Sequence, residues 1–125
     1  MVEKKTGKSL SFFRTSHDFL HYAAFSTVDD IKCLAAYAKD HNLPVYILGN
    51  GSNTFFAHKT IRTLVMKNSM PTNITELDDG TVRVSSSVKI MEVLNFCFKR
   101  SLDSFYFLAS VPAHVGGALA MNAGR

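Results

Sequence analysis

Cysteine, proline and runs of charge are scarce in this sequence, and each scarcity removes a class of protein. Cys33 and Cys97 stand alone, with no CxxC or metal-ligand spacing, so both are read as small buried hydrophobes inside helices. His17, His21, His41, His58 and His114 are scattered and make no HExxH or comparable set, so no metal site is expected. With 3 prolines and 7 glycines in 125 residues, the chain is neither collagen-like nor of low complexity. No apolar signal sequence follows Met1, and no internal repeat or linker is evident. The longest stretch without a charged residue, Ser104 to Gly124, contains Pro112, His114 and three glycines, which argues against a membrane-spanning helix. The default expectation is a cytoplasmic protein with no membrane partner.

What is present is an ordinary globular composition, 46% hydrophobic and 19% charged, enough to bury a core within one domain. The length is short for an enzyme that must hold both a large cofactor and a substrate. The net charge of +4 is concentrated at the start, where Lys4, Lys5, Lys8 and Arg14 are opposed only by Glu3 before Asp18. Residues 1–10 are read as a flexible, solvated basic tail, because no aromatic and basic interleaving follows that would make a stacking platform for nucleic acid. No nucleic-acid partner is expected.

Strand and helix signals alternate along the rest of the chain. Asp18 to Phe25 reads as a strand, and Thr27 as the N-cap of a helix carrying Asp29 and Asp30 in its first turn. Val28, Ile31, Leu34, Ala35 and Ala38 give that helix an apolar face to about His41, with Asn42 as a left-handed cap and Pro44 as a stop. Val45 to Leu48 reads as a buried strand, and Thr63 to Met66 as another, which together suggest a small and largely parallel sheet. Asp78-Asp79-Gly80 between Asn73–Leu77 and Thr81–Ser85 is a hairpin signal. Ser87 then reads as the cap of a helix ending near Leu102, with Ile90, Val93, Leu94, Cys97 and Phe98 facing inward, and Phe105 to Leu108 is again apolar.

Two glycine-bearing loops carry the chemistry. Leu48-Gly49-Asn50-Gly51-Ser52-Asn53-Thr54 directly follows a strand. Two glycines let a backbone reach positive φ and approach a ligand, and successive amides can form an anion nest. Ser52, Asn53 and Thr54 add polar side chains without adding a full charge. The same residues also suit a tight turn, and neither GxGxxG nor GxxxxGK[ST] is present. The second loop runs from Ser110 through Val111, Pro112, Ala113, His114, Val115, Gly116 and Gly117 to Ala118, and leads to Met121-Asn122-Ala123-Gly124. Pro112 suits the approach to a helix, and Gly116 and Gly117 admit either a neighbouring backbone or a planar ligand. A helix start that favours anions would let this loop share a diphosphate with the first.

These residues resemble a known family. Leu48-Gly49-Asn50-Gly51-Ser52-Asn53 is similar to the LGxGSN loop of the UDP-N-acetylmuramate dehydrogenases, also called UDP-N-acetylenolpyruvoylglucosamine reductases. Val111 to Ala118 is similar to their IPGTVGGA stretch, and Met121 to Gly124 to their MNAG. Asn42-Leu43-Pro44-Val45 and Ser11-Phe12-Phe13-Arg14 also fit, and the resemblance spans roughly Ser11 to Gly124. It implies an α+β, PCMH-type FAD-binding fold of the vanillyl-alcohol-oxidase kind. A small mixed βαβ subdomain over about 11–68 would be followed by the start of a second α+β subdomain over about 69–125.

The resemblance implies FAD as cofactor. Gly49, Asn50, Gly51, Ser52, Asn53 and Thr54 would wrap its diphosphate. Val111, Pro112, Ala113, His114, Gly116 and Gly117 would approach the diphosphate and the flavin, with Asn122 nearby. In the complete family enzyme a hydride passes from NADPH to FAD and then to UDP-N-acetylglucosamine enolpyruvate, giving UDP-N-acetylmuramate for peptidoglycan. The chain departs from the family pattern at Thr15 and Ser16, where two glycines are usual, and at Ala113 and His114. The family's proton-donating serine lies beyond the matched stretch. The chain is therefore expected to bind FAD without turning over substrate, as part of a longer plan or as a truncated product. The other reading is a non-catalytic module that uses its small-residue helix and incomplete edge for a protein partner or self-association.

Overall fold

The computed structural model describes residues 1–124. Arg125, the last residue of the expected second subdomain, lies outside the described residues. Two compact units make up the chain, Met1–Met70 and Pro71–Arg125.

The first unit is built on a four-stranded sheet. Its strands are β1 (Glu3–Gly7), β2 (His17–Phe25), β3 (Val45–Leu48) and β4 (Thr60–Asn68), and α1 (Val28–Asp40) links β2 to β3. They lie in the order β1-β2-β4-β3. β4 runs parallel to β2 and to β3, and β1 is antiparallel to β2, so the sheet is mixed. Alternation along β4 feeds two cores: Val65 points to one face with Leu10, Phe19, Tyr22, Leu48 and Phe56, and Leu64 and Met66 point to the other with Ala23, Phe25, Leu34 and Ala38. Leu34 and Ala38 come from α1, which therefore covers only the second face.

The helix begins as its sequence directs. Thr27 accepts a hydrogen bond from the Asp30 amide at 3.1 Å, and the Asp30 carboxylate accepts from the Thr27 amide at 2.9 Å, a complete capping box. At the other end Asn42 has φ 51, and the Leu43 amide donates to the Ala38 carbonyl at 2.8 Å, which closes the helix.

Several expectations are corrected in this unit. Glu3–Gly7, expected as part of a tail, is an edge strand paired with β2 from Tyr22 to His17. A strand with one solvated face tolerates the lysines at positions 4 and 5, and the Lys5 ammonium sits over the Tyr22 ring, 4.5 Å from its centroid. β3 is an edge strand whose Val45, Tyr46 and Ile47 are exposed, with only Leu48 buried. Cys33 is exposed too, because it lies off the Leu34–Ala38 stripe, as do Val28 and Ala35.

The second unit opens with a hairpin, β5 (Ile74–Glu76) antiparallel to β6 (Val82–Val84). Gly80 takes φ +78 in its turn, and the Asp79 carboxylate accepts from the Thr81 amide at 2.9 Å. There follow α2 (Ile90–Phe98), a 3-10 turn (Tyr106–Leu108) and α3 (Val115–Ala120). Ile90, Leu94, Leu108 and Ala118 form one core cluster, and Val88, Val93 and Cys97 another. Ser87 does not cap α2. The chain turns at Ser85–Val88, so Lys89 takes the cap position and its amide donates to the Glu92 carboxylate at 3.1 Å. Phe98 is exposed, and α2 ends there rather than near Leu102. Among the described residues no helix is long and apolar enough to cross a membrane.

Candidate functional site

The first loop leaves the carboxyl end of β3, in the parallel part of the sheet, and the carboxyl ends of parallel strands are where ligands commonly sit. Gly51 is buried at φ +74, and a Cβ there would lie 2.2 Å from the Leu10 carbonyl oxygen, so no other residue fits. Two carbonyls of the loop are drawn toward the body of the unit. The Gly51 oxygen accepts from the Phe12 amide at 3.0 Å, and the Gly49 oxygen accepts from the Lys67 ammonium. Among the described residues no peptide bond is cis, so the amides of Asn50 and Ser52 point the opposite way from those carbonyls. That is the arrangement of a loop presenting N–H groups to an anion. Thr54 closes the loop: its carbonyl accepts from the Ser11 hydroxyl, and its own hydroxyl lies 2.9 Å from the Tyr46 hydroxyl.

Lys67 is the residue that reading the loop alone misses. It pairs with Leu48 across the parallel β3–β4 ladder, which sets its side chain beneath the loop. Burial holds its ammonium below the usual lysine range. Among the described residues no carboxylate forms an ion pair with it. A periodicity reading centred on Thr63 to Met66 passes over this position, because a lysine at a strand's end looks like solvated surface.

In the second unit the other loop is locked to the start of α2. The Ile90 amide donates to the Ala113 carbonyl at 3.0 Å, the Val115 amide to the Val88 carbonyl at 2.8 Å, and Lys89 bridges His114. Val111 and Pro112 lead into this anchorage, the Ala113 amide donating to the Val111 carbonyl at 2.8 Å. Ala113 is not among the residues at positive φ, so its methyl group is sterically accommodated here. His114 is the N-cap of α3 in extended backbone, φ −80 and ψ 151. Gly116 and Gly117 differ in their surroundings. A Cβ on Gly116 would come within 3.0 Å of Ser86 Cβ, whereas one on Gly117 would meet nothing within 4 Å. Close packing therefore accounts for Gly116, and the open space over Gly117 leaves room for a ligand. Asn122 has φ 46 and ends α3, with the Ala123 amide donating to the Ala118 carbonyl at 2.9 Å. It also lines an apolar cavity of about 250 Å³ with Ile90, Leu108, Val115 and Ala118. Among the described residues no group of His, Cys, Asp and Glu is placed to hold a metal ion.

A family profile described as an FAD binding domain matches residues 19–125, which include both loops. The chain belongs to the FAD binding domain family. Curated proteins similar to this FAD-binding chain include the UDP-N-acetylenolpyruvoylglucosamine reductase of Aquifex aeolicus, 34% identical over 82% of this chain and 35% of the relative. That of Clostridium botulinum strain Eklund 17B is 40% identical over 69% of this chain and 28% of the relative. The chain thus spans about a third of the length of the curated relatives it matches. A crystal structure of UDP-N-acetylenolpyruvylglucosamine reductase from Thermus caldophilus matches all of this chain and 43% of that chain, with TM-score 0.73 and 21% identity. The mixed α+β, PCMH-type FAD-binding fold that the resemblance implies is the fold found, and FAD is the cofactor of the family.

Proposed function

We propose that this chain is the amino-terminal, FAD-binding portion of a UDP-N-acetylenolpyruvoylglucosamine reductase, acting in the cytoplasm in peptidoglycan precursor synthesis. The observation that carries the reading is the first loop: Gly51 forced to be glycine, with Lys67 and the Phe12 amide holding two carbonyls inward. Relatives at 34% and 40% identity bearing that name support the choice of enzyme. The residues present fit the cofactor. The amides of Asn50 and Ser52, with the polar side chains of Ser52, Asn53 and Thr54, would hold a diphosphate. Val111 to His114 and Gly117 offer backbone and open space to the flavin side, and Asn122 lies at the end of the same helix. The first subdomain over about 11–68 and the second over about 69–125 belong to this proposal, supported by the two compact units Met1–Met70 and Pro71–Arg125.

FAD, when bound, supplies two-electron redox chemistry, which in the complete enzyme carries a hydride from NADPH to the enolpyruvyl group of a UDP-sugar. The work of this chain's own residues is to bind and orient. Loop amides would fix the diphosphate without a mobile side chain, and Lys67 holds the Gly49 carbonyl away from that side of the loop. A nest of this kind favours an anion through partial charges set in advance by the fold.

Titration with FAD, followed by flavin fluorescence and a thermal shift, tests the assignment. Binding is expected, together with NADPH oxidation that does not respond to enolpyruvate substrate. Absence of FAD binding in both this chain and a longer one would sink it. Substrate-dependent turnover by the 125 residues alone would overturn the division of labour.

A further inference from the structure

Residues 8–16 join β1 to β2 as a strap that lies behind the first loop. The Phe12 amide takes the Gly51 carbonyl at 3.0 Å, so the Ser52 amide of the same trans peptide faces away from the strap. The Ser11 hydroxyl donates to the Thr54 carbonyl. Beyond these two ties the strap curls on itself: the Phe13 amide donates to the Ser11 hydroxyl at 3.2 Å, the Arg14 amide donates to the Ser11 carbonyl at 3.1 Å, and Arg14 takes φ 53.

The far end of the strap is fastened by His17, the first residue of β2. Its ring is 6% exposed and packs 5.5 Å from the Phe56 ring and 6.1 Å from the Phe19 ring, between centroids. Nδ1 lies 2.7 Å from the His58 carbonyl oxygen, and Nε2 lies 2.6 Å from the Thr15 hydroxyl. A carbonyl can only accept, so Nδ1 carries a proton. In the neutral ring Nε2 is then an acceptor, and the Thr15 hydroxyl donates to it. One buried ring thus joins the strap to the segment that enters β4. The Lys59 ammonium also reaches the Ser16 carbonyl, but at 3.5 Å and from an exposed side chain.

We propose that His17 is a positioning residue for the cofactor loop: through Thr15 it fixes the strap, and the strap holds the Gly51 and Thr54 carbonyls back so that the Ser52 amide stays on the open side of the loop. The assignment rests on the FAD reading and adds to it a residue outside the loop. Both His17 and Thr15 precede position 19, where the family match begins. Thr15 stands where the family pattern has a glycine, which has no hydroxyl to offer. A strap loose at this end would leave part of the loop to be ordered by the ligand, at a cost in affinity.

The test compares the full chain with its Thr15→Val and Thr15→Ser variants. Valine keeps the branched shape and deletes the donor, whereas serine keeps the donor. Thr15 is exposed, so both variants should keep the parent's thermal midpoint. Amide hydrogen exchange without ligand reads the strap, and equilibrium titration with FAD and ADP reads the loop. Thr15→Val is expected to lose protection at the Phe12 amide and to bind FAD and ADP roughly fivefold more weakly, and Thr15→Ser to recover both. Nitrogen chemical shifts of His17 should report a neutral ring protonated on Nδ1; a ring protonated on Nε2 alone overturns the pin. Unchanged Phe12 protection in Thr15→Val overturns it too and leaves the FAD assignment intact. Lost protection with unaltered FAD and ADP affinity, or weakened binding that serine does not recover, overturns the positioning role. Failure of the parent chain to bind either FAD or ADP overturns both readings.

Discussion

Gly116 and Gly117 are neighbours in α3 with opposite reasons to lack a side chain. Replacing a helical glycine by alanine gains about 0.5–1 kcal/mol of backbone entropy, while overpacking a tight contact costs about 1–3 kcal/mol. Gly116→Ala meets Ser86 at 3.0 and 3.1 Å and is expected to destabilise the chain by about 1 kcal/mol, as read by urea denaturation. Gly117→Ala meets nothing and is expected to stabilise the second unit slightly while weakening FAD, as read by flavin fluorescence. Equal effects of the two substitutions on FAD affinity would show that the space over Gly117 is not used. Lys67 and Tyr22 act in the alkaline range with opposite signs. Tyr22 is raised from 10.0, by burial first and then by the charge of Glu3, so its contribution is present below 10.0 and is lost as pH rises further. Lys67 is lowered from 10.5 by burial, so the native state gives up its proton first and stability increases with pH up to 10.5. Lys67→Met leaves Tyr22 in place and removes only that rise. The stability of the parent relative to this variant is therefore expected to climb from neutral pH toward 10.5, as measured by denaturant titrations at a series of pH values.

At the scale of elements, α1 is held by its cap as much as by its core. Thr27→Ala deletes the acceptor for the Asp30 amide and is expected to cost about 1 kcal/mol, measured as a lowered denaturation midpoint. The same helix shows why some elements are readable from residues. Thr27, Asp30, Asn42 and Pro44 are local signals whose physics is complete within a few positions, and the helix falls where they direct. The Asp-Gly turn is legible for the same reason. What was not legible depends on partners far along the chain. Nothing in Glu3–Gly7 says that β2 will accept it, and nothing in Val45–Ile47 says that β3 will be an edge rather than a centre. Ser87 has the chemistry of a cap, yet the turn at Ser85–Val88 moves the helix start past it and buries its hydroxyl. The candidate site divides in the same way. Its glycines and small polar residues announced themselves by spacing, whereas Lys67 joined the loop only through strand register.

For the whole molecule, the decisive fact is that each unit keeps its own core. Leu64 is fully buried between α1 and the sheet, and Ile90 anchors the second unit. Leu64→Ala should cost about 2–5 kcal/mol, and the loss should be concentrated within the first unit. Amide hydrogen exchange is expected to lose protection in β2, β4 and α1 before α2 does. Uniform loss across both units would show that they unfold as one.

The strand order carries a consequence for how the chain first folds. Among the described residues β3 has no ladder partner other than β4, and β2 meets in β4 its only parallel partner, yet β4 is the last of the four to leave the ribosome. Until Asn68 has been synthesised, the nascent sheet can be no more than the β1–β2 ribbon beside a loose α1 and an unpaired β3. The loop after β3 cannot take its final form before then either, because Lys67, which fixes the Gly49 carbonyl, arrives with the same strand. Cofactor capture during synthesis therefore has to wait for the end of β4, and the exposed Val45–Ile47 segment must pass that interval without a partner.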